Sequence, residues 1–229
     1  MTVCGYARMF SQSKKETGEE NMGSIARIPK DQILEAALRM LIRDGYESIN
    51  IKTLAKELGC STQPISWHFG SMPNLRKELT EAAFQYAAKE MLPSEDIVAV
   101  DRFRGMGCRY IDFAFDKPNL ARFLTEAHEG HTFAEQFVIL MDHSLDENMA
   151  RQIADIMSIS VDDADKFIQT MMMYVHGFVT MILSGKAPTE SKEEAHMMVE
   201  RVGGTFMRGL GAKFDRLREF READLKKYN

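Results

Sequence analysis

The sequence predicts an all-α fold. Apolar residues recur at helical spacing along most of the chain. No stretch of strand length alternates apolar and polar residues, and only six prolines interrupt 229 residues. The first helix is expected from about Pro29 to Arg43, because Ile33, Leu34, Ala37, Leu38, Leu41 and Ile42 form one stripe. Pro29 suits a first turn, and Gly45 suits a left-handed stop. A second helix, from about Ile51 to Leu58, has Asn50 as its N-cap and Gly59 as its end. A third begins after Ser61, with Pro64 in its first turn, and ends at Gly70. A fourth runs from Pro73 to about Met91. Further helices are expected near residues 96–116, 118–129, 133–158, 162–186, 190–209 and 212–227, separated at Pro118, Gly130, Ser160, Pro188 and Gly209/Gly211.

Composition narrows the class. Hydrophobic residues make up 45% of the chain and charged residues 28%, which excludes a disordered protein. No apolar run approaches the roughly 18 residues of a membrane span. The longest, Met171 to Leu183, is interrupted by His176 and Gly177. The first twenty residues carry Arg8, Lys14, Lys15 and three acids, with no apolar core of signal-peptide length, so a cytoplasmic protein without a membrane partner is expected. Residues 1–26 form a polar leader whose composition predicts poor order, and Met22 is an alternative start. Cys4, Cys60 and Cys108 are odd in number and widely spaced, which argues against disulfide scaffolds and zinc ribbons. Net charge is −5, yet residues 1–92 carry +1 and residues 93–229 carry −6. The less anionic amino-terminal part is a weak pointer to nucleic acid.

The strongest signal lies in residues 51–69. Two short helices joined by a tight turn must cross closely. Ala55 is small enough for the crossing, and Gly59 supplies the turn. Leu54, Leu58 and Ile65 plug the angle between the helices. This spacing fits a helix-turn-helix whose second helix enters the DNA major groove, and equally an ordinary corner between two helices.

The flanks separate the two. The run from Ile33 to Leu75, with Ile33-Leu34, Ala36-Ala37, Gly45-Tyr46, Leu54-Ala55, Gly59 and Trp67-His68-Phe69, resembles the DNA-binding region of the tetracycline-repressor (TetR/AcrR) family. The resemblance implies a helix-turn-helix domain over residues 27–73 and a helical effector-binding and dimerisation domain over 74–229. It implies a homodimer on a palindromic DNA operator, and a small apolar effector that shifts the fourth helices. Among the candidate DNA-binding residues, Gln63 can pair bidentately with adenine, and Thr62 and Pro64 can meet thymine methyls. Lys52 can reach a guanine or a phosphate, with Thr53 beside it. Ser61 is the expected N-cap of the third helix. Ser66, Trp67 and His68 can donate to phosphates. Two positions depart from the family pattern: Ser66 stands where relatives usually carry Tyr, and Met72 where they usually carry Lys.

Beyond Met91 the chain is rich in Met and Phe, which suits an adaptable apolar cavity. Met106, Tyr110 and Phe113 share a helix face. With Phe123, the pair Phe137 and Met141, and the pair Met171 and Val175, they are the candidate ligand-binding residues. The resemblance implies that the two long helices 162–186 and 190–209 form a four-helix bundle with a second copy. Phe167, Phe178, Met181 and Ile182 are then available on the first, and Met198, Val202 and Phe206 on the second, with Gly203-Gly204 allowing close approach. His128-Glu129-Gly130-His131 lacks the spacing that sets two histidines on one helix face, and assembly of a metal site with His143 and His176 is disfavoured. Without a Ser/His/Asp order, a phosphate loop or an ExxH pair, neither an enzyme nor a cofactor is expected. The leading reading is a ligand-responsive repressor. The alternative is an all-α small-molecule-binding protein with weakened operator binding, motivated by Ser66 and Met72.

Overall fold

The computed structural model describes residues 28–91, 97–125 and 148–225. Phe137, Met141, the 128–131 segment, His143 and the leader lie outside these. Among the described residues there are ten α-helices and no strand: α1 (Lys30–Asp44), α2 (Ile51–Leu58), α3 (Gln63–Phe69), α4 (Met72–Met91), α5 (Ala99–Asp116), α6 (Pro118–Thr125), α7 (Met149–Met157), α8 (Val161–Leu183), α9 (Lys192–Gly209) and α10 (Phe214–Leu225). The protein is all-α, as the sequence predicts.

Local chemistry sets the ends of these helices. Pro29 sits one position earlier than expected, at the N-cap of α1, and Gly45 follows α1 with φ +85°. Ser160 Oγ accepts from Asp163 N at 3.0 Å and starts α8. Ser191 Oγ accepts from Glu194 N at 3.3 Å and starts α9. Each satisfies one of the four donors that a helix leaves free at its start.

The buried apolar side chains form one cluster that extends from Ile33 in α1 to Leu217 in α10. Helix α1 buries Ile33, Ala36, Ala37, Met40 and Leu41 against α2, α3, α4 and α6. Helix α4 spans about 30 Å at 1.5 Å per residue. Its Leu75 and Leu79 are fully buried near α1 and α3, and Met91 at its far end faces a cavity in the bundle. Helix α8 is the spine of that bundle and packs against α5, α6, α7 and α9. No described helix is long and apolar enough to cross a membrane.

Candidate nucleic-acid interface and effector cavity

A reciprocal cap builds the front of α2. Asn50 Oδ1 accepts from Lys52 N and Thr53 N, both at 3.0 Å, while Asn50 N donates to Thr53 Oγ1 at 3.0 Å. Thr53 Oγ1 also donates to Ser48 O at 2.8 Å. The hydroxyl expected near DNA is therefore committed to the fold, and Thr53 is half-buried. Gly59 closes α2 at φ +64° and ψ 32°, and a Cβ there would meet nothing within 4 Å. The turn thus needs glycine for its left-handed backbone and not for space. Leu54, Ala55, Ile65 and Phe69 are buried between the helices, and Leu58 packs against them half-buried.

Helix α3 then presents its polar side outward. Ser61, Thr62, Gln63, Ser66 and Trp67 are exposed, Trp67 at 70%, and Lys52 is exposed on α2. The side chains of Ser61, Thr62, Gln63 and Ser66 make no hydrogen bond among the described residues. Pro64 is half-buried at the start of the helix. The capping position is Thr62, not the expected Ser61, and no side-chain capping bond forms there. His68 also departs from expectation. Its Nε2 donates to Ile28 O at 3.0 Å, so the ring anchors the chain entering α1. While His68 stays neutral, that bond uses its single ring proton, which cannot then reach a phosphate. Met72 opens α4 half-buried against the core.

Two contacts seat this head on the bundle. Asn119 Nδ2 of α6 donates to Arg43 O at 3.1 Å and to Ile42 O at 3.4 Å, satisfying carbonyls at the end of α1. The Arg76 guanidinium of α4 lies 4.1 Å from the Tyr46 ring centre and 5.8 Å from that of Phe123, whose centre is 5.1 Å from that of Tyr46. Phe123, a candidate ligand residue on the next helix after α5, therefore belongs to this joint and does not line the bundle cavity. Between α1 and α2, Arg43 Nη2 reaches Glu57 Oε2 at 3.0 Å, which holds the Glu57 carboxyl below its usual range.

A cavity of about 400 Å³ opens among α4, α5, α7, α8, α9 and α10. Four of the predicted ligand residues line it: Met106, Tyr110, Met171 and Val175. Phe113 does not. It is buried, with its ring centre 5.8 Å from Lys117 Nζ. Two expected interface residues turn inward. Phe167 lines the cavity, with ring centres 5.7 Å from Phe103 and 5.8 Å from Phe206. Gly203 also faces the cavity, and a Cβ there would lie 3.4 Å from Met171 Cε, so its smallness makes room inside the subunit. Phe178 is buried, whereas Ile182, Met198, Val202 and Phe206 are half-buried and Met181 is exposed. The large apolar side chains most exposed on α8 and α9 are Met173 at 68% and Met197 at 55%, neither singled out by the sequence pattern.

At the α5 carboxy-terminal end of the cavity, Tyr110 Oη lies 3.0 Å from His176 Nδ1. Burial pushes the Tyr110 phenol well above its usual range and the imidazole of His176 below its own. Because the folded pKa of His176 is depressed, the unfolded chain takes up its proton first. Stability from a neutral His176 is present above the unfolded value of about 6.5 and is lost as pH falls below it. His176→Gln should therefore lose less Tm than the wild type between pH 7.5 and 5.5. Parallel melting curves would reject this account.

The geometry defines a class first: a helix-turn-helix head with an exposed recognition helix, joined to a helical bundle. Residues 33–79 match the family model described as bacterial regulatory proteins, tetR family. That match spans the helix-turn-helix head and the first turns of α4, and assigns a DNA-binding domain of the tetR type to this part of the chain. Two solved structures share the fold. One is a Rhodococcus sp. protein assigned to the TetR family of transcriptional regulators, with 17% identity and a TM-score of 0.55, covering 77% of this chain and 97% of that one. The other is a protein of unknown function from Rhodococcus sp. RHA1, with 23% identity and a TM-score of 0.57, covering 82% and 96%. No curated protein matches the chain.

Proposed function

We propose that this regulator is a homodimeric repressor that binds a palindromic operator through α3 and is released by a small apolar effector held in the bundle cavity. One observation carries the reading. Helix α4 is shared by both sites, with Leu75 packed at the recognition end and Met91 in the cavity wall. A ligand that displaces Met91 acts on a rigid rod whose other end positions α3, and paired heads read two half-sites only at one spacing, near 34–36 Å. In this reading residues 27–73 are the DNA-binding domain and 74–229 the effector and dimerisation domain.

Lys52, Ser61, Thr62, Gln63, Pro64, Ser66 and Trp67 remain the proposed DNA contacts. Gln63→Ala should cost about 1–3 kcal/mol on the operator and relax preference at one position per half-site. An operator profile identical to wild type would remove Gln63 from the interface. The test of the whole reading is a gel-shift series on the DNA upstream of the protein's own gene, with and without extracts of apolar compounds. Absence of any sequence-selective shift favours the second reading, a small-molecule-binding protein with weakened operator affinity.

Met72 motivates that second reading. Its side chain is neutral and half-buried, at the position where the family pattern carries a cation. Met72→Lys, with its stem still packed and its ammonium outward, should tighten binding to all duplexes. It should also steepen the salt slope by about one unit per subunit, hence about two per dimer. Unchanged affinity and slope would show that residue 72 does not face DNA.

A further inference from the structure

The cavity walls carry a preference that volume alone does not express. Met91, Met106, Met157, Met171, Met172 and Met207 bring six thioethers to it, and Phe103, Phe167 and Phe214 add rings. Thioether sulfur is polarisable, adapts its shape, and makes favourable contacts with aromatic ring edges. Flat aromatic ligands therefore gain more from this wall than saturated chains of equal size.

The charged lining residues, Arg104, Glu200 and Arg221, already face opposite charges. Arg104 Nη1 lies 2.5 Å from Glu200 Oε1, and Arg104 Nε lies 3.6 Å from Asp101 Oδ1. Arg221 Nε donates to Asp101 Oδ2 at 2.7 Å. The quartet sums to zero charge and ties α5 to α9 and α10. A charged ligand gains one member only by taking it from another, which leaves an unpaired charge against an apolar wall. An uncharged ligand disturbs none of them. Arg104, Glu200 and Arg221 are about half exposed, so water offsets part of that penalty.

We propose that the cavity selects uncharged, flat aromatic molecules and that the Asp101–Arg104–Glu200–Arg221 quartet is its filter against ions. The proposal rests on reading the cavity as the effector site, and the test separates the two. Full-length protein is loaded with N-phenyl-1-naphthylamine, a neutral dye that brightens in apolar surroundings. It is then titrated at pH 7.5 with 1-naphthol, 1-naphthoate, 1-naphthylmethylammonium and 1-decanol.

1-Naphthol should displace the dye at concentrations about tenfold or more below either ion, and below 1-decanol. Glu200→Gln leaves Arg104 with less counter-charge and should narrow the gap for 1-naphthoate. Displacement by either ion within about threefold of 1-naphthol overturns the filter, and stronger displacement by 1-decanol overturns the aromatic preference. Gly203→Leu and Gly107→Leu each grow a side chain towards the cavity, against Met171 Cε and Val175 Cγ2 respectively, and should abolish dye binding. Dye that binds both folded variants as it binds wild type sits elsewhere, and so does failure of the dye to bind wild type at all argue against an effector cavity here. Either result removes the cavity reading itself and not merely its selectivity.

Discussion

Replacing Met173 and Met181 together by glutamate is expected to leave the protein folded, monomeric, and about 10²–10⁴-fold weaker on its operator. Both side chains are exposed in the isolated chain, at 68% and 43%, and they lie eight residues apart on one face of α8. Gly177 between them has open space around it, which suits close approach of a second helix. A charge at an exposed position costs the monomer little, within about 0.5 kcal/mol. In an interface, the same charge must be desolvated without a partner. In the proposed dimer each head alone would meet one half-site, and tethering of the second is what would multiply the affinity. Phe178→Glu would confuse this test. Phe178 is buried within the subunit, so a charge there attacks the fold. Light scattering at micromolar concentration reads the outcome, and a dimer persisting in the double variant moves the interface away from this face.

Leu54→Ala is the second large effect. Leu54 is fully buried on α2, which packs against both α1 and α3, so its packing is expected to set the angle between α2 and α3. Truncation should cost about 2–5 kcal/mol of stability, measured by urea unfolding. Leu58→Ala, at a half-buried position one turn later, should cost distinctly less. A Leu54→Ala loss below about 1 kcal/mol would mean that the corner collapses freely and does not hold α3 by packing.

The head was legible in the sequence because its determinants are local. Helical periodicity marked α1, Gly59 marked the turn between α2 and α3, and Leu54, Ala55 and Ile65 stood at the offsets that a helix crossing demands. What the sequence concealed there were bonds between segments far apart in the chain. His68 is 40 residues from the carbonyl it holds, and no local rule points to that bond. The Thr53 hydroxyl is spent on the Asn50 cap, a reciprocal pattern that the Asn50-x-x-Thr53 spacing does signal. The cavity was half legible. Spacing placed Met106 and Tyr110 correctly on one stripe, but the stripe continues past the cavity, and Phe113 ends on the Lys117 side. Gly203 read as a surface for close approach, since sequence spacing does not say which side of a helix faces inward when both sides are apolar. The ion quartet joins residues about 100 apart and is invisible to any window along the chain.

The unbroken core from Ile33 to Leu217 has a thermodynamic consequence. A head held to its bundle by a flexible linker melts by itself, and calorimetry then shows two transitions. Here α1 is wedged against α4 and α6, Asn119 closes its last carbonyls, and the Tyr46–Arg76–Phe123 stack straddles the boundary. Neither part can lose its packing without exposing apolar surface of the other. Head and bundle therefore share one cooperative unit of unfolding, and whatever stabilises the bundle raises the melting temperature of the recognition helix with it.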